Sequence, residues 1–198
     1  ATMYARNSLF AGLMPLTIQK MFPDKWLDDD NEEGGKNNFE EEFLQKQMAR
    51  LGRKEKLYFE KFTNLKQGRK PTDNLNKILS SDLAVMVFNV IDMISHARTE
   101  MDMIKELASD EAAYRSLTAS WFKHSNLLEL IEKLRENKFE LILTTDHGSI
   151  KVSNPLKVVG ERSTNTNLRY KLGRNLSYNS RDFFEVRKPE EAQLPAPN

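Results

Sequence analysis

The chain has 198 residues, of which 39% are hydrophobic and 9% aromatic, so it is long and apolar enough to bury a core. It contains no cysteine, which excludes disulfides and thiolate ligands and leaves histidine, carboxylates and hydroxyl groups to bind any metal. The formal net charge is only +1, although the charged residues are unevenly spread.

Nothing in the sequence predicts insertion into a membrane. No run of about 18 apolar residues occurs, and the longest apolar stretch, Leu83–Phe88, has the length of a buried strand. The first residues lack the basic and then apolar pattern of a signal peptide, so we expect a cytoplasmic protein.

Charged residues form three blocks of like sign. Residues 24–42 include nine acidic and two basic residues, whereas residues 43–71 include nine basic and two acidic residues. Residues 151–188 include nine basic and three acidic residues. Such blocks are usually solvated surfaces, and the functional alternative is that the two basic blocks attract an anionic substrate.

The first predicted element is a short amphipathic helix over residues 6–14, with Thr2 just ahead of it. A flexible acidic loop follows at 28–38, and helical spacing of apolar residues predicts a second helix over 39–51. The next segment, 55–64, is ambiguous, because its apolar residues also alternate as they do in a strand.

The whole of 1–198 is interpreted as one partial domain. The oppositely charged region 24–71 is typical of a cap or an insertion within it. The last residues, 189–198, contain three prolines and no periodicity, and they are predicted to be an irregular tail.

The strongest pattern is strand, helix and strand. Residues 83–91 and 139–144 have the continuous apolar character of buried strands, and the residues between them are helical in pattern at 96–108 and 111–137, with a break near His124. This order predicts an α/β fold with a parallel sheet and helices on its faces. Ligands of such sheets collect at the carboxyl ends of the strands.

Two carboxylate–histidine pairs follow the two predicted strands. Asp92 and His96 follow the first, and Asp146 and His147, with Gly148 to ease the turn, follow the second. A single pair also fits a helix cap beside a surface histidine. Two pairs at two strand ends predict a two-metal clamp, in which one ion activates a nucleophile and the other stabilises the leaving oxygen.

Thr2 has two interpretations. A threonine ahead of a helix is most often its cap. The functional interpretation makes its hydroxyl a metal-bound nucleophile, with the N–H groups of the helix helping to hold a phosphate.

Three ordered motifs resemble the PglZ domain, and more narrowly the PglZ domain of PorX-type response regulators. They are the run Thr-Met-Tyr-Ala-Arg-Asn-Ser-Leu-Phe-Ala-Gly-Leu-Met-Pro, which starts at Thr2, and the segments Ile91–Arg98 and Leu143–Gly148. The run Asn165–Lys171 fits as well. The resemblance implies an alkaline-phosphatase-like, largely parallel sheet with flanking helices, two zinc ions and a threonine nucleophile.

The resemblance also implies a role for each motif residue. Thr2 would be the nucleophile and would share one zinc ion with Asp146 and His147. Asp92 and His96 would hold the other ion. The family supplies a further aspartate ahead of the nucleophile and a later histidine, which we expect outside these 198 residues, so the fold is predicted to be incomplete at both ends.

Three arginines are candidate phosphate contacts, although each one taken singly is more typical of an ordinary surface: Arg98, Arg162 and Arg169.

The function that the resemblance implies is a zinc-dependent phosphodiesterase acting on nucleotide or oligonucleotide esters. In PorX-type proteins this domain is the output domain of a two-component response regulator that controls type IX secretion. It follows a CheY-like receiver domain, which is absent from this chain. The partners so implied are a sensor kinase and components of the secretion system.

Two alternatives stay open. The domain can be a regulatory or dimerisation module with a structural or vestigial metal site, in which the acidic and basic blocks of 24–71 pair between the protomers of a homodimer. It can also be a phosphomonoesterase or a mutase on the same scaffold, because those enzymes share the metal set.

Overall fold

The computed structural model describes residues 2–27, 37–62, 70–101, 106, 110–148, 152–164 and 170–195, apart from the side chains of residue 2 and residues 96–100. The chain divides into two compact units. The first unit consists of Ala1–Gln47 and Thr145–Asn198, and the second of Met48–Thr144.

The helices and strands of the described residues are as follows in chain order: α1 Thr2–Ala11, α2 Pro15–Met21, α3 Glu40–Arg50, β1 Leu57–Phe62, α4 Leu75–Leu79, β2 Leu83–Phe88, α5 Val90–Glu100, α6 Glu111–Lys123 and α7 Asn126–Glu136. None of the helices found in these residues has the length and apolar character needed to cross a bilayer.

Helix α1 begins earlier and ends earlier than the sequence predicts. Thr2 is its first helical residue and does not lie ahead of it. Gly12 ends the helix, because it adopts a φ of 59° and its N–H donates to the Ser8 carbonyl at 2.8 Å. Helix α2 then starts at Pro15. Proline loses no hydrogen bond at this position, because the first N–H groups of a helix have no partner within the helix.

The first unit has its own apolar core, formed by residues of α1, α2 and α3 together with Trp26. The ring of Phe22 packs against that of Phe43 at 5.7 Å, and the ring of Tyr4 packs against that of Trp26 at 5.8 Å. The buried apolar side chains are Phe10, Ala11, Leu16, Ile18, Trp26 and Phe43.

A buried ion pair joins α1 to the start of α3. Arg6 Nε lies 2.7 Å from Glu40 Oε1, and Arg6 Nη2 donates to Glu40 Oε2 at 2.8 Å. The side chain of Glu40 is 0% exposed and that of Arg6 is 10% exposed. Glu40 lies in the first turn of α3, where the helix dipole favours a negative charge.

The second unit contains a two-stranded parallel sheet. Strands β1 and β2 pair in the register Leu57 opposite Leu83 through Phe62 opposite Phe88, so the ambiguous segment 55–64 is largely a strand. The rings of Phe62 and Phe88 stack at 4.8 Å. Strand β1 lies inside the region 24–71, whose interpretation as a cap or insertion stays a prediction.

Helices α4 and α7 close one face of the second unit. Ile78 of α4 and Leu130 and Leu134 of α7 are buried together, and partly buried side chains of both strands pack against them. Leu130 and Leu134 are one turn apart, as the predicted apolar periodicity requires. The predicted helical region 111–137 is confirmed, and its break falls at His124 and Ser125 between α6 and α7.

The predicted buried strand at 139–144 is wrong. These residues are irregular, and Ile142 and Leu143 are 79% and 71% exposed. The Phe139 N–H donates to the Leu134 carbonyl and so continues the end of α7. A strand needs a neighbour for its backbone groups, and in the described residues the sheet consists of β1 and β2 only. In the described residues the fold is therefore mixed α/β with a sheet of two strands, and the larger sheet stays a prediction.

The described residues after Thr145 are mostly irregular and belong to the first unit. Val159 and Ser177 form an isolated antiparallel bridge. Near the end, Pro189–Ala192 forms a 3₁₀ turn, and the Gln193 carbonyl accepts the N–H of Leu16 at the start of α2. This bond attaches the last described residues to the helical core.

We expect Glu40→Gln to lower the free energy of unfolding by about 3 kcal/mol, because it leaves the guanidinium of Arg6 buried without its charge partner. Urea unfolding monitored by circular dichroism measures the change. The matched control is Glu136→Gln, which removes an exposed pair with Lys133 and should cost no more than about 0.5 kcal/mol. Equal changes in the free energy of unfolding for the two variants would contradict the stabilising role of the buried Arg6–Glu40 pair.

A second test concerns the exposed carboxyl of Glu185. The hydroxyl of Tyr178 donates to this carboxylate and, with Arg187, lowers the pKa of Glu185. The carboxylate therefore stabilises the fold above the ordinary glutamate pKa, and this contribution is lost as the pH falls through the lowered value.

We expect Tyr178→Phe and Arg187→Gln each to raise the pKa of Glu185, because the tyrosine hydrogen bond is the first cause of its lowered pKa and Arg187 adds a hydrogen bond and an attractive charge. Carbon-detected NMR of the Glu185 carboxyl across the acid range measures both pKa values. The control is Phe183→Leu, which removes the ring packed against Tyr178 at 5.1 Å and keeps the hydroxyl. An unchanged pKa of Glu185 in Tyr178→Phe would contradict the role of the tyrosine hydroxyl.

Candidate functional site

Asp92 and His96 lie on one helix. The strand predicted over 83–91 ends at Phe88, and the helix predicted from residue 96 already begins at Val90, after Asn89, whose carbonyl accepts the Met93 N–H at 2.9 Å. Asp92 is thus in the first turn of α5, and His96 is four residues later. Positions four apart are neighbours on one helix face, a spacing that suits two ligands of one ion.

Asp146 and His147 form the second pair. Asp146 Oδ2 is buried and makes no hydrogen bond among the described residues, and it lies 3.7 Å from His147 Nε2. This separation is too long for a hydrogen bond, whereas two ligands about 2.1 Å from one tetrahedral zinc ion lie roughly 3.4 Å apart. A buried carboxylate oxygen beside an imidazole nitrogen is a donor set that fits zinc.

A local hydrogen bond holds the backbone around Asp146 and His147. The hydroxyl of Thr145 donates to the carbonyl of His147 at 2.5 Å. Gly148 was expected to ease the turn, yet it does not have a positive φ, and no heavy atom lies within 4 Å of the place where a Cβ would stand. The local geometry does not require glycine at that position.

Thr2 lies at the start of α1, where the first N–H groups of a helix have no partner within the helix. It belongs to the first unit, as do Asp146 and His147, whereas Asp92 and His96 belong to the second unit. Across the described part of the chain, no group of three or more histidine, aspartate or glutamate side chains is gathered. The complete five-residue metal set therefore stays a prediction.

The three arginine candidates have different outcomes. Arg162 is exposed in the first unit. Arg98 is in α5, and its side chain is outside the described residues, as is the whole of Arg169. Their contact with a phosphate stays a prediction.

The buried polar residues of α1 and α3 were not predicted from the sequence. Arg6, Asn7 and Glu40 are buried, and the Asn37 side-chain amide donates to the Asn7 oxygen at 3.2 Å. One signal was present in the sequence, because Arg6 is four residues from Phe10 and so falls on the apolar face of the helix. Its partner, 34 positions along the chain, carried no such signal.

Comparison with known protein families gives one match. Residues 1–195 match the family model described as the BREX system PglZ alkaline phosphatase-like domain. A search of curated proteins returned no match. The alkaline-phosphatase-like character of the family indicates a phosphoesterase, a class of enzyme that usually depends on metal ions. Because the match covers nearly the whole sequence, the chain belongs to the PglZ family of alkaline-phosphatase-like domains.

Proposed function

We propose that this domain is a zinc-dependent phosphodiesterase that hydrolyses nucleotide or oligonucleotide esters. The observation that carries the proposal is the buried Oδ2 atom of Asp146, which makes no hydrogen bond in the described residues and lies 3.7 Å from His147 Nε2. Buried carboxylate oxygens normally have partners, and a metal ion is one that suits this pair. The family match supports the phosphoesterase class of reaction.

In this proposal Asp146, His147 and Thr2 hold one zinc ion, and Asp92 and His96 hold the other. When bound, such ions lower the pKa of a hydroxyl group and neutralise charge that develops on phosphate oxygens. The position of Thr2 at the start of α1 supports its role, because the N–H groups of the first turn favour an anion there.

The proposed reaction has two displacements at phosphorus. The hydroxyl of Thr2 loses its proton and forms a bond to phosphorus, and the first alcohol leaves as its bond to phosphorus breaks and it gains a proton. Water then attacks the phosphorus of the threonine ester and releases Thr2 with its proton restored. Both steps conserve atoms and need no oxidant or reductant.

The charge of the chain supports an anionic substrate. Residues 151–188, which include Arg162, have nine basic and three acidic residues. Arg162 is exposed and available to a phosphate, and we propose the same role for Arg98 and Arg169. A polyanionic oligonucleotide gains more from such a surface than a neutral ester does.

The setting that we propose is the output domain of a PorX-type response regulator in the cytoplasm, with a sensor kinase and type IX secretion components as partners. This part of the proposal rests on the resemblance of the three motifs. It requires a receiver domain in the full-length protein.

We expect Thr2→Ala to lower kcat/KM for bis-nitrophenyl phosphate by at least about 1,000-fold in the full-length protein loaded with zinc, because the nucleophile is removed. Thr2→Ser retains a hydroxyl and should keep activity within about tenfold of the original. Release of nitrophenolate measures both variants. Full activity in Thr2→Ala would contradict the nucleophile assignment.

The ester preference separates this proposal from a phosphomonoesterase or a mutase. We expect kcat/KM for bis-nitrophenyl phosphate to exceed that for nitrophenyl phosphate, because a diesterase site leaves room for the second alcohol. The two rates are measured on the same zinc-loaded preparation. A preference for the monoester overturns the diesterase assignment and leaves the phosphoesterase class intact.

Asp146→Asn tests the metal site without an activity assay. We expect the variant to weaken zinc binding by at least about tenfold, since amide oxygens are poorer zinc ligands than carboxylates. Chelator competition measures the affinity. The control is Asp182→Asn, an exposed aspartate of the same unit, which should bind zinc as the original protein does. Equal affinities in the two variants would remove Asp146 from the site.

A further inference from the structure

Helix α1 has its candidate nucleophile and its buried arginine on one face. Thr2, Arg6 and Phe10 follow each other at intervals of four residues, and such positions lie one above the other along a helix. Arg6 therefore lies one turn inward from the start of the helix, on the face that contains position 2. Whatever holds Arg6 in place also sets the position and direction of that first turn.

Glu40 holds Arg6 through one hydrogen bond and a second close charge contact. Arg6 Nη2 donates to Glu40 Oε2 at 2.8 Å, and Arg6 Nε lies in ion-pair contact 2.7 Å from Glu40 Oε1. Two points of contact between the guanidinium and the carboxylate restrict rotation as well as distance. Because the carboxylate is fully buried, water does not compete for it.

A second polar contact holds the next residue of the helix. Asn7 is buried, and its side-chain oxygen accepts the amide of Asn37 at 3.2 Å. Hydrogen bonds and paired charges are directional, whereas apolar contacts tolerate sliding and rotation. Helix α1 is thus held against the region just before and at the start of α3 by directional contacts.

Stability does not explain why this pair is ionic. Replacing a buried ion pair by apolar side chains of similar volume is often neutral or stabilising. Catalysis, in contrast, is sensitive to position, since a misplacement of about 1 Å can cost about 100-fold in rate. The Arg6–Glu40 pair constrains the orientation of the helix that begins with Thr2, and so it supplies the positional precision that catalysis requires.

We propose that Glu40 is a positioning residue for the phosphoester reaction: through Arg6 it sets the orientation of α1 and so the approach of Thr2 to phosphorus. This inference rests on the proposed function, in which Thr2 is the nucleophile. Glu40 itself touches neither substrate nor metal in this role. It acts on kcat and leaves the ground-state binding of the ester unchanged.

The decisive variant is the double replacement Arg6→Met with Glu40→Leu, which removes both charges and keeps the volume. The matched control is Lys25→Met with Glu42→Leu. Glu42 is on the same helix α3, and its partner Lys25 lies in the 3₁₀ turn Pro23–Lys25, so this pair joins α3 to a segment other than α1. Both variants are made in the full-length, zinc-loaded protein.

In the Arg6 and Glu40 double variant we expect kcat for bis-nitrophenyl phosphate to fall about 10- to 100-fold, while KM stays within about threefold. Orthovanadate resembles the pentacoordinate state, so its dissociation constant, measured by calorimetry, should rise by a similar factor. The control double variant should keep kcat, KM and vanadate binding within about twofold. Thermal unfolding of both variants shows that the fold is retained.

Glu40→Asp keeps the charge and withdraws the carboxylate by one methylene, which provides a second test if the double variant does not fold. It should lower kcat and weaken vanadate binding, with KM within about threefold. Unchanged kcat and vanadate binding in a folded double variant, or in Glu40→Asp, overturns the positioning role.

The Thr2→Ala result separates the two levels of the proposal. If Thr2→Ala is inactive and the Arg6 and Glu40 double variant is fully active, only the positioning role fails. If Thr2→Ala is fully active, the proposed function itself fails, whatever the double variant does.

Discussion

The buried ion pair between Arg6 and Glu40 is the interaction on which the first unit depends. It joins α1 to α3 across 34 positions of the chain, and it buries two charges that would be costly to leave unpaired. The apolar packing of the first unit, which includes Phe10 and Phe43, stabilises the fold but constrains the orientation of the helices only weakly. The ion pair constrains the orientation of α1, the helix that begins with Thr2.

The second unit is organised by a different constraint, the pairing of β1 with β2. Parallel strands need a crossover, and here the crossover includes α4, whose Ile78 is buried against Leu130 and Leu134 of α7. Strand β2 leads directly into α5, so Asp92 occurs one turn after a strand end. Thr2 and Asp92 therefore each lie in the first turn of a helix, whereas Asp146 and His147 lie in an irregular segment.

Much of the local structure was predictable, because it depends on near neighbours. Helices α3, α6 and α7 and strand β2 lie where apolar spacing predicts them, because the spacing indicates which face of an element is buried. The run at 139–144 has equally strong strand composition, yet it is irregular and exposed at Ile142 and Leu143. A strand-like composition shows only that a segment is able to pair, and a strand forms only where a neighbouring strand is present.

The sequence by itself determined the family and the kinds of ligand available to a metal. Its ordered motifs around Thr2, Asp92 and Asp146 are short and local, and the absence of cysteine is a matter of composition. Only the tertiary structure decided that Glu40 is the partner of Arg6 and that one oxygen of Asp146 is buried without a hydrogen bond in the described residues. Burial and long-range pairing depend on residues far apart in the chain, and no local pattern encodes them.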